Sequence, residues 1–260
     1  MRAIGYADRT ENAAALARLG FDYLEARLTE FDLSTPAGAA AASQALGRIA
    51  RDVISVSVLQ SFVPRGLYLT GPQRSSAAEL RTYFGRAAQV AAAAGARSAV
   101  FGAAWSRNLP DGYDRDRGRA ELVEAYHWCA DAFAGSGCIV GIEPQNLKEC
   151  NFVRLVSEAT SLARQVDRPE IGVAVDLYHV QEEAEPLDHI VAAGALVCAV
   201  QAADTGRNEP GTGGYPHREF AQALNDAGYA GGVSVEIMHD IPDAQKAAAL
   251  RFLRELFATT

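Results

Sequence analysis

Ile139-Val140-Gly141-Ile142 running into Glu143, Ile171-Gly172-Val173-Ala174-Val175 into Asp176, Leu196-Val197-Cys198-Ala199-Val200 into Gln201, and Val233-Ser234-Val235 into Glu236 are four short apolar runs. Each finishes on an oxygen-bearing side chain. The polar ends lie 33, 25 and 35 residues apart, the length of one strand-plus-helix unit. Side chains alternate along a strand, so Glu143 shares a face with Gly141 and Ile139, Asp176 with Ala174 and Gly172, and Glu236 with Ser234 and Gly232. That face is mostly small. The opposite face, with Val140, Ile142, Val173, Val175, Leu196, Cys198, Val200, Val233 and Val235, is suited to packing beneath helices.

Working outward, the same rhythm extends over the whole chain. Strands are predicted over 2–7, 21–26, 53–59, 97–102, 138–143, 171–176, 196–203 and 232–237, each followed by a helical stretch rich in alanine and leucine. Thr35-Pro36 supplies an N-cap and a proline at the first helical position. Ser76 and Glu79 form a capping-box pattern with Gly95 as its stop, Gly20 and Gly135 mark two more helix ends, and Pro242 marks the last helix start. Eight units in 260 residues average about 32 residues each, which suits one α/β domain over 1–260, a single (β/α)8 TIM barrel. The alternative, a doubly wound sheet, lacks its phosphate fingerprint: Tyr6-Ala7-Asp8-Arg9-Thr10 follows the first strand.

Composition narrows the function. With 24 Lys plus Arg against 32 Asp plus Glu, the net charge of −8 disfavours nucleic acid as the main partner. The longest apolar run, 87–96, is far shorter than the about 20 residues of a membrane-spanning helix, so no membrane segment is expected. Met1 to Arg9 carries no apolar core of a secretory signal, which points to a cytoplasmic location. Cys129, Cys138, Cys150 and Cys198 form no C-x-x-C pair and read as reduced core thiols.

Three acids converging at the C-terminal mouth of a barrel repel one another and lose hydration unless a cation holds them. Glu143, Asp176, Glu236 and the amide oxygen of Gln201 form an all-oxygen donor set, which favours Mn²⁺ or Mg²⁺ over Zn²⁺. Taken singly, each of these residues could instead cap a helix or pair with an arginine. Four in succession at strand ends favour the ion.

The segments Glu143-Pro144-Gln145-Asn146, Asp176-Leu177-Tyr178-His179-Val180-Gln181, and Gln201-Ala202-Ala203-Asp204 continuing to Arg207-Asn208-Glu209-Pro210-Gly211-Thr212-Gly213 together resemble the xylose isomerase-like TIM-barrel superfamily. The similarity is strongest to its hydroxypyruvate isomerase-like branch and is concentrated in 138–236. It implies a sugar isomerase or epimerase with one divalent ion on Glu143, Asp176, Gln201 and Glu236, Gln201 standing where many relatives have histidine. It also implies Glu143 and Glu236 as acid/base partners, His179 on substrate oxygens and Arg207 on a polar or anionic substrate group. The chain departs from that branch at Asn208 and Gly214, where histidine and glutamate are usual, so the substrate contacts of this loop are expected to differ.

Chemistry agrees with that implication. Isomerising or epimerising a hydroxy-carbonyl compound removes a proton beside a carbonyl, and the enediolate so formed needs its charge stabilised. The expected substrate is a small sugar, keto-acid or cyclitol derivative. His239, three residues past Glu236, and Glu209, near Arg207, are further substrate-binding candidates; Trp105 and Arg107, after the fourth strand, are candidate pocket walls. A simple Arg207–Glu209 ion pair is the plainer alternative for that loop. Two other functions fit the fold: a non-catalytic sugar-binding subunit, and an endonuclease IV-like DNA repair enzyme, which needs a histidine-rich zinc cluster that five scattered histidines do not suggest. Barrels of this kind often form homo-oligomers, but no interface is legible in the sequence.

Overall fold

The computed structural model describes residues 2–259. Eight parallel strands close on themselves in chain order: β1 (Ile4–Asp8), β2 (Tyr23–Arg27), β3 (Ser55–Gln60), β4 (Ser98–Phe101), β5 (Ile139–Ile142), β6 (Ile171–Asp176), β7 (Val197–Ala202) and β8 (Val233–Val235), with β8 paired back to β1. Outside them lie α1 (Ala13–Leu19), α2 (Pro36–Asp52), α3 (Ala77–Ala94), α4 (Arg115–Phe133), α5 (Val156–Val166), α6 (Leu177–Glu182), α7 (Asp188–Ala193), α8 (His217–Asp226) and α9 (Asp243–Thr259). This is a (β/α)8 TIM barrel. All strands being parallel, their C-terminal ends form one rim.

The helix signals work as physical chemistry requires. Thr35 Oγ1 accepts the Gly38 N–H at 3.0 Å ahead of Pro36. Ser76 and Glu79 exchange both capping-box bonds, and Gly95 ends α3 at φ +70°. The apolar side chains of the strands' outer faces pack under these helices, around an aromatic cluster in which Phe101 lies 4.9 Å from Phe62 and 5.2 Å from Tyr126.

Inside the barrel, below the rim, a separate small core of Tyr23, Val58, Val100, Ala174 and Ala199 fills the lumen. The small residues on the inward face make room for one large one: a Cβ on Gly5 or Gly232 would stand 2.1 or 2.7 Å from the Tyr23 ring. Strict alternation put Cys198 on the outer face, and the structure corrects this. The β6–β7 register shifts between Val173 and Ala174, so the extra residue turns Cys198 inward, where its sulfur would touch any Cβ placed on Gly141 or Gly172. Strands β5 and β8 end one residue before Glu143 and Glu236. The N–H groups of both still bond to the neighbouring strand, at Phe101 O and Ala202 O.

Candidate active site

The four strand-end residues meet at the rim. Asp176 and Gln201 are register partners on β6 and β7, while Glu143 and Glu236 follow β5 and β8. All four are buried. Beside them a cavity of about 150 Å³ counts Gln60, Glu143, Glu149, Gln201, Arg207 and Glu236 in its polar lining, with Trp105 on its wall; Asp176 lies outside that lining. Trp105 is fixed there by its indole N–H, which donates to Pro64 O at 3.2 Å.

Glu143 can lie over the end of β4 because residue 102 is glycine. A Cβ at Gly102 would stand 2.0 Å from Glu143 Oε2. Burial pushes the Glu143 carboxyl well above the usual carboxylate range, and repulsion from Glu236 and Asp176 adds to it. Burial likewise raises Asp176 to about 7, partly offset by Arg207. Asp176 makes both of the plainer contacts weighed for it in the sequence, a helix cap and an arginine pair. Its Oδ1 caps α6 through the Tyr178 N–H at 3.0 Å, while its Oδ2 faces the site.

Arg207 lies among these acids. Its guanidinium reaches Glu236 Oε2 at 2.5 Å, Glu149 Oε1 at 3.2 Å and Asp176 Oδ2 at 3.3 Å, and sits 4.7 Å over the Tyr178 ring. Its ion pairs are therefore with Asp176, Glu236 and Glu149, and no pair with Glu209 forms. Gln201 donates its Nε2–H to Glu25 Oε1 at 2.5 Å, which leaves its own Oε1 buried without a hydrogen-bond partner.

His179 belongs to the short helix α6 rather than to an open loop, and it is buried. The backbone N–H of Asn146, which can only donate, meets His179 Nδ1 at 3.2 Å, and the Asn146 side-chain amide lies 2.8 Å from the same nitrogen. Nδ1 is thus an acceptor and the ring proton sits on Nε2. Nε2 has no hydrogen-bond partner and lies 3.7 Å from Asp176 and 3.9 Å from Glu143. Burial, with Arg207 and Arg107 nearby, holds the ring well below the usual histidine range, so it stays neutral. One donor atom each of Glu143, Asp176 and His179 fall within 4.8 Å of one another. The proton on Nε2 makes His179 a hydrogen-bond donor, and Glu236, expected as a ligand from the sequence, is not part of this group, its carboxylate being paired with Arg207.

The remaining candidates lie elsewhere. Arg107 does not wall the pocket: it is fully buried and donates to the carbonyls of Phe101, Gly102, Glu143 and Phe152. It needs those acceptors because a buried guanidinium must be satisfied on every side. His239 is exposed and lines an adjoining cavity with Tyr6, Asp8, Arg27 and Lys246. Glu209 is buried near Tyr6, whose phenol is pushed up by burial first and then by Asp8 and Glu209.

Glu25, Gln60 and Glu149 escaped the sequence reading, and Asn146 and Asp204 stood in the segments that carry the resemblance with no role assigned to them. Asp204 organises the loop that carries Arg207, accepting from Thr205 N at 2.8 Å, Gly211 N at 2.9 Å, Tyr215 N at 3.1 Å and His217 Nε2 at 3.0 Å. Burial alone would raise this carboxyl, but the backbone bonds outweigh it and hold it down at about 2.

Comparison with known proteins places this geometry in a family. The family described as xylose isomerase-like TIM barrel matches residues 13–256. An L-ribulose 3-epimerase from Methylomonas sp. (strain DH-1) is 29% identical over 119 residues, 45% of this chain and 42% of that protein. A putative hydroxypyruvate isomerase from Streptomyces coelicolor is 36% identical over 119 residues, 42% of each chain. Both alignments thus span less than half of the relative. In fold, a D-psicose 3-epimerase superposes with a TM-score of 0.85 over 99% of both chains at 19% identity. A 3-keto-D-glucoside 4-epimerase from E. coli does so with a TM-score of 0.82 over 98% of this chain and 100% of that one, at 18% identity. The residue match and the closed eight-stranded barrel agree, and the chain belongs to the xylose isomerase-like TIM-barrel family.

Proposed function

We propose that this protein is a divalent-metal-dependent epimerase or isomerase of a small ketose or related hydroxy-carbonyl compound. The observation that carries the reading is that Glu143, Glu236 and Gln201, whose side-chain oxygen is unpartnered, border one cavity, with Asp176 and the unpartnered Nε2–H of His179 buried close to Glu143. Relatives named as ketose 3-epimerases and a hydroxypyruvate isomerase support the reaction class.

The donor set suits a divalent ion. Raised carboxyls that repel one another and a buried amide oxygen without a donor are what a cation relieves. Glu143, Asp176, Gln201 and Glu236 would hold it, all through oxygen, which favours Mn²⁺ or Mg²⁺. When bound, it supplies Lewis-acid polarisation of the substrate carbonyl.

The chain's own residues do the rest. Glu143 and Glu236 stand three staves apart in the ring of eight, so they approach a substrate from different sides. One carboxylate takes the proton from the carbon beside the carbonyl. The other returns it, to the opposite face for epimerisation or to the adjacent carbon for isomerisation. His179 Nε2–H donates to a substrate oxygen, Arg207 holds Glu236 by one oxygen, and Trp105 shields one wall from water.

The test is solvent deuterium incorporation into a panel of ketoses and keto-acids with added Mn²⁺. Exchange at one carbon with inversion identifies an epimerase, and exchange with carbonyl migration an isomerase. Binding of a sugar with no exchange for any substrate would overturn the catalytic reading in favour of a sugar-binding subunit. Cleavage of abasic DNA would favour a repair enzyme, although Glu143, Asp176 and His179 form the one convergent metal-donor group among the described residues and it holds a single histidine.

A further inference from the structure

Gln201 is an unusual choice for a ligand because the two ends of a primary amide have nearly the same shape. Turned one way, it offers an oxygen to a cation; turned the other, it offers an NH2 group that a cation repels. Three acids flank its site, and with no ion between them they attract the NH2 end. Left to itself, the amide would present the wrong end.

Glu25 removes that freedom. It projects from β2, across the lumen from β7, and both side chains are buried. Its Oε1 accepts the Gln201 Nε2–H at 2.5 Å, which turns Gln201 Oε1 away from it with no partner of its own. An unpartnered acceptor buried to this degree is unfavourable unless a cation or donor meets it there. We infer that Glu25 is a positioning residue that locks the Gln201 amide with its oxygen toward the ion site. The inference rests on the metal-dependent reading above. Outer partners of this kind commonly orient metal ligands and tune affinity.

The experiment is Mn²⁺ titration of the full chain, followed by competition with a chelating dye, with thermal melting as the folding control. Glu25→Met, which lacks the acceptor, is expected to weaken Mn²⁺ binding about 10–100-fold. Glu25→Gln, whose amide oxygen still accepts the Gln201 N–H, is expected to stay within about threefold. In a Gln201→Ala background, Glu25→Met should change affinity less than about twofold, because the partner it acts through is gone. Should Glu25→Met fail to melt cooperatively, Glu25→Asp, one methylene short of the amide, takes its place with at least a fivefold loss expected, by roughly the same reasoning. Unchanged affinity in the acceptor-deficient variant, or an equal loss with and without Gln201, would overturn the inference while leaving the metal reading intact. Wild-type protein that binds no Mn²⁺ would overturn both.

Discussion

The two halves of the barrel lumen are made of the same eight strands and obey opposite rules. Below the rim, Tyr23, Val58, Val100, Ala174 and Ala199 pack against one another, and glycines exist to let a neighbour in. At the rim, the acids Glu25, Glu143, Asp176 and Glu236 crowd together with the Gln201 amide, and Arg207 offsets only part of their repulsion. The rim also carries backbone strain. Ser61 directly after β3, Ala103 two residues after β4 and Arg207 in the loop that follows β7 adopt left-handed conformations at φ +49°, +50° and +61°. The lower half stabilises the fold, and the upper half draws on that stability to hold an arrangement that is unfavourable by itself.

Substitutions separate the two. Glu143→Gln should lower kcat about 10²–10⁴-fold. It should also raise the melting temperature at neutral pH, because a buried carboxyl repelled by Glu236 and Asp176 is gone. A loss of both activity and stability would erase the divide. Gly102→Ala should cost about 100-fold in kcat by pushing Glu143 off its position, with cooperative melting retained. Its counterpart below the rim, Gly141→Ala, meets Cys198 Sγ at 2.8 Å and the Ala174 backbone nitrogen at 2.9 Å. That change should destabilise the fold by about 1–3 kcal/mol in denaturant titration, with kcat per folded molecule preserved.

Asp204 sharpens the comparison by pH. Its ordinary value of 3.8 is lowered to about 2 on folding, so its contribution is fully present above about pH 4 and is lost as the pH falls through 2. Wild type should exceed Asp204→Asn in stability by about 2 kcal/mol at pH 6, with the gap narrowing between pH 4 and 2. A gap independent of pH would remove the charge from the explanation. The smallest effect belongs to a site remote from both halves: Thr35→Ala should lose about 1 kcal/mol through its cap and leave catalysis untouched.

Legibility in the sequence follows this division too. The barrel was readable because parallel strands buried on both faces are written as short apolar runs at regular spacing, and the site because each run in the second half ends on a polar residue. Cys198 was misplaced because a register shift leaves no mark in a period-two pattern. Glu25 was invisible for a different reason. It lies two residues before the end of Tyr23-Leu24-Glu25-Ala26-Arg27, and its partner is 176 residues away. Arg107 and Asn146 act through backbone groups and through the choice of a histidine tautomer, neither of which residue type reveals. Arg207 could be placed in the mouth from its loop, but its three acidic partners come from three other segments.

The bonds that Asp204 collects come from both ends of a single excursion of the chain, from Thr205 at its start to Tyr215 and His217 at its close. Asp204 stitches the excursion to itself, while Arg207 and Tyr215 moor it to the rest of the rim at Glu149, Asp176, Glu236 and Glu182. A loop moored at its tip as well as closed at its neck cannot be swapped by itself: replacing Arg207 would also release Glu236 and Asp176.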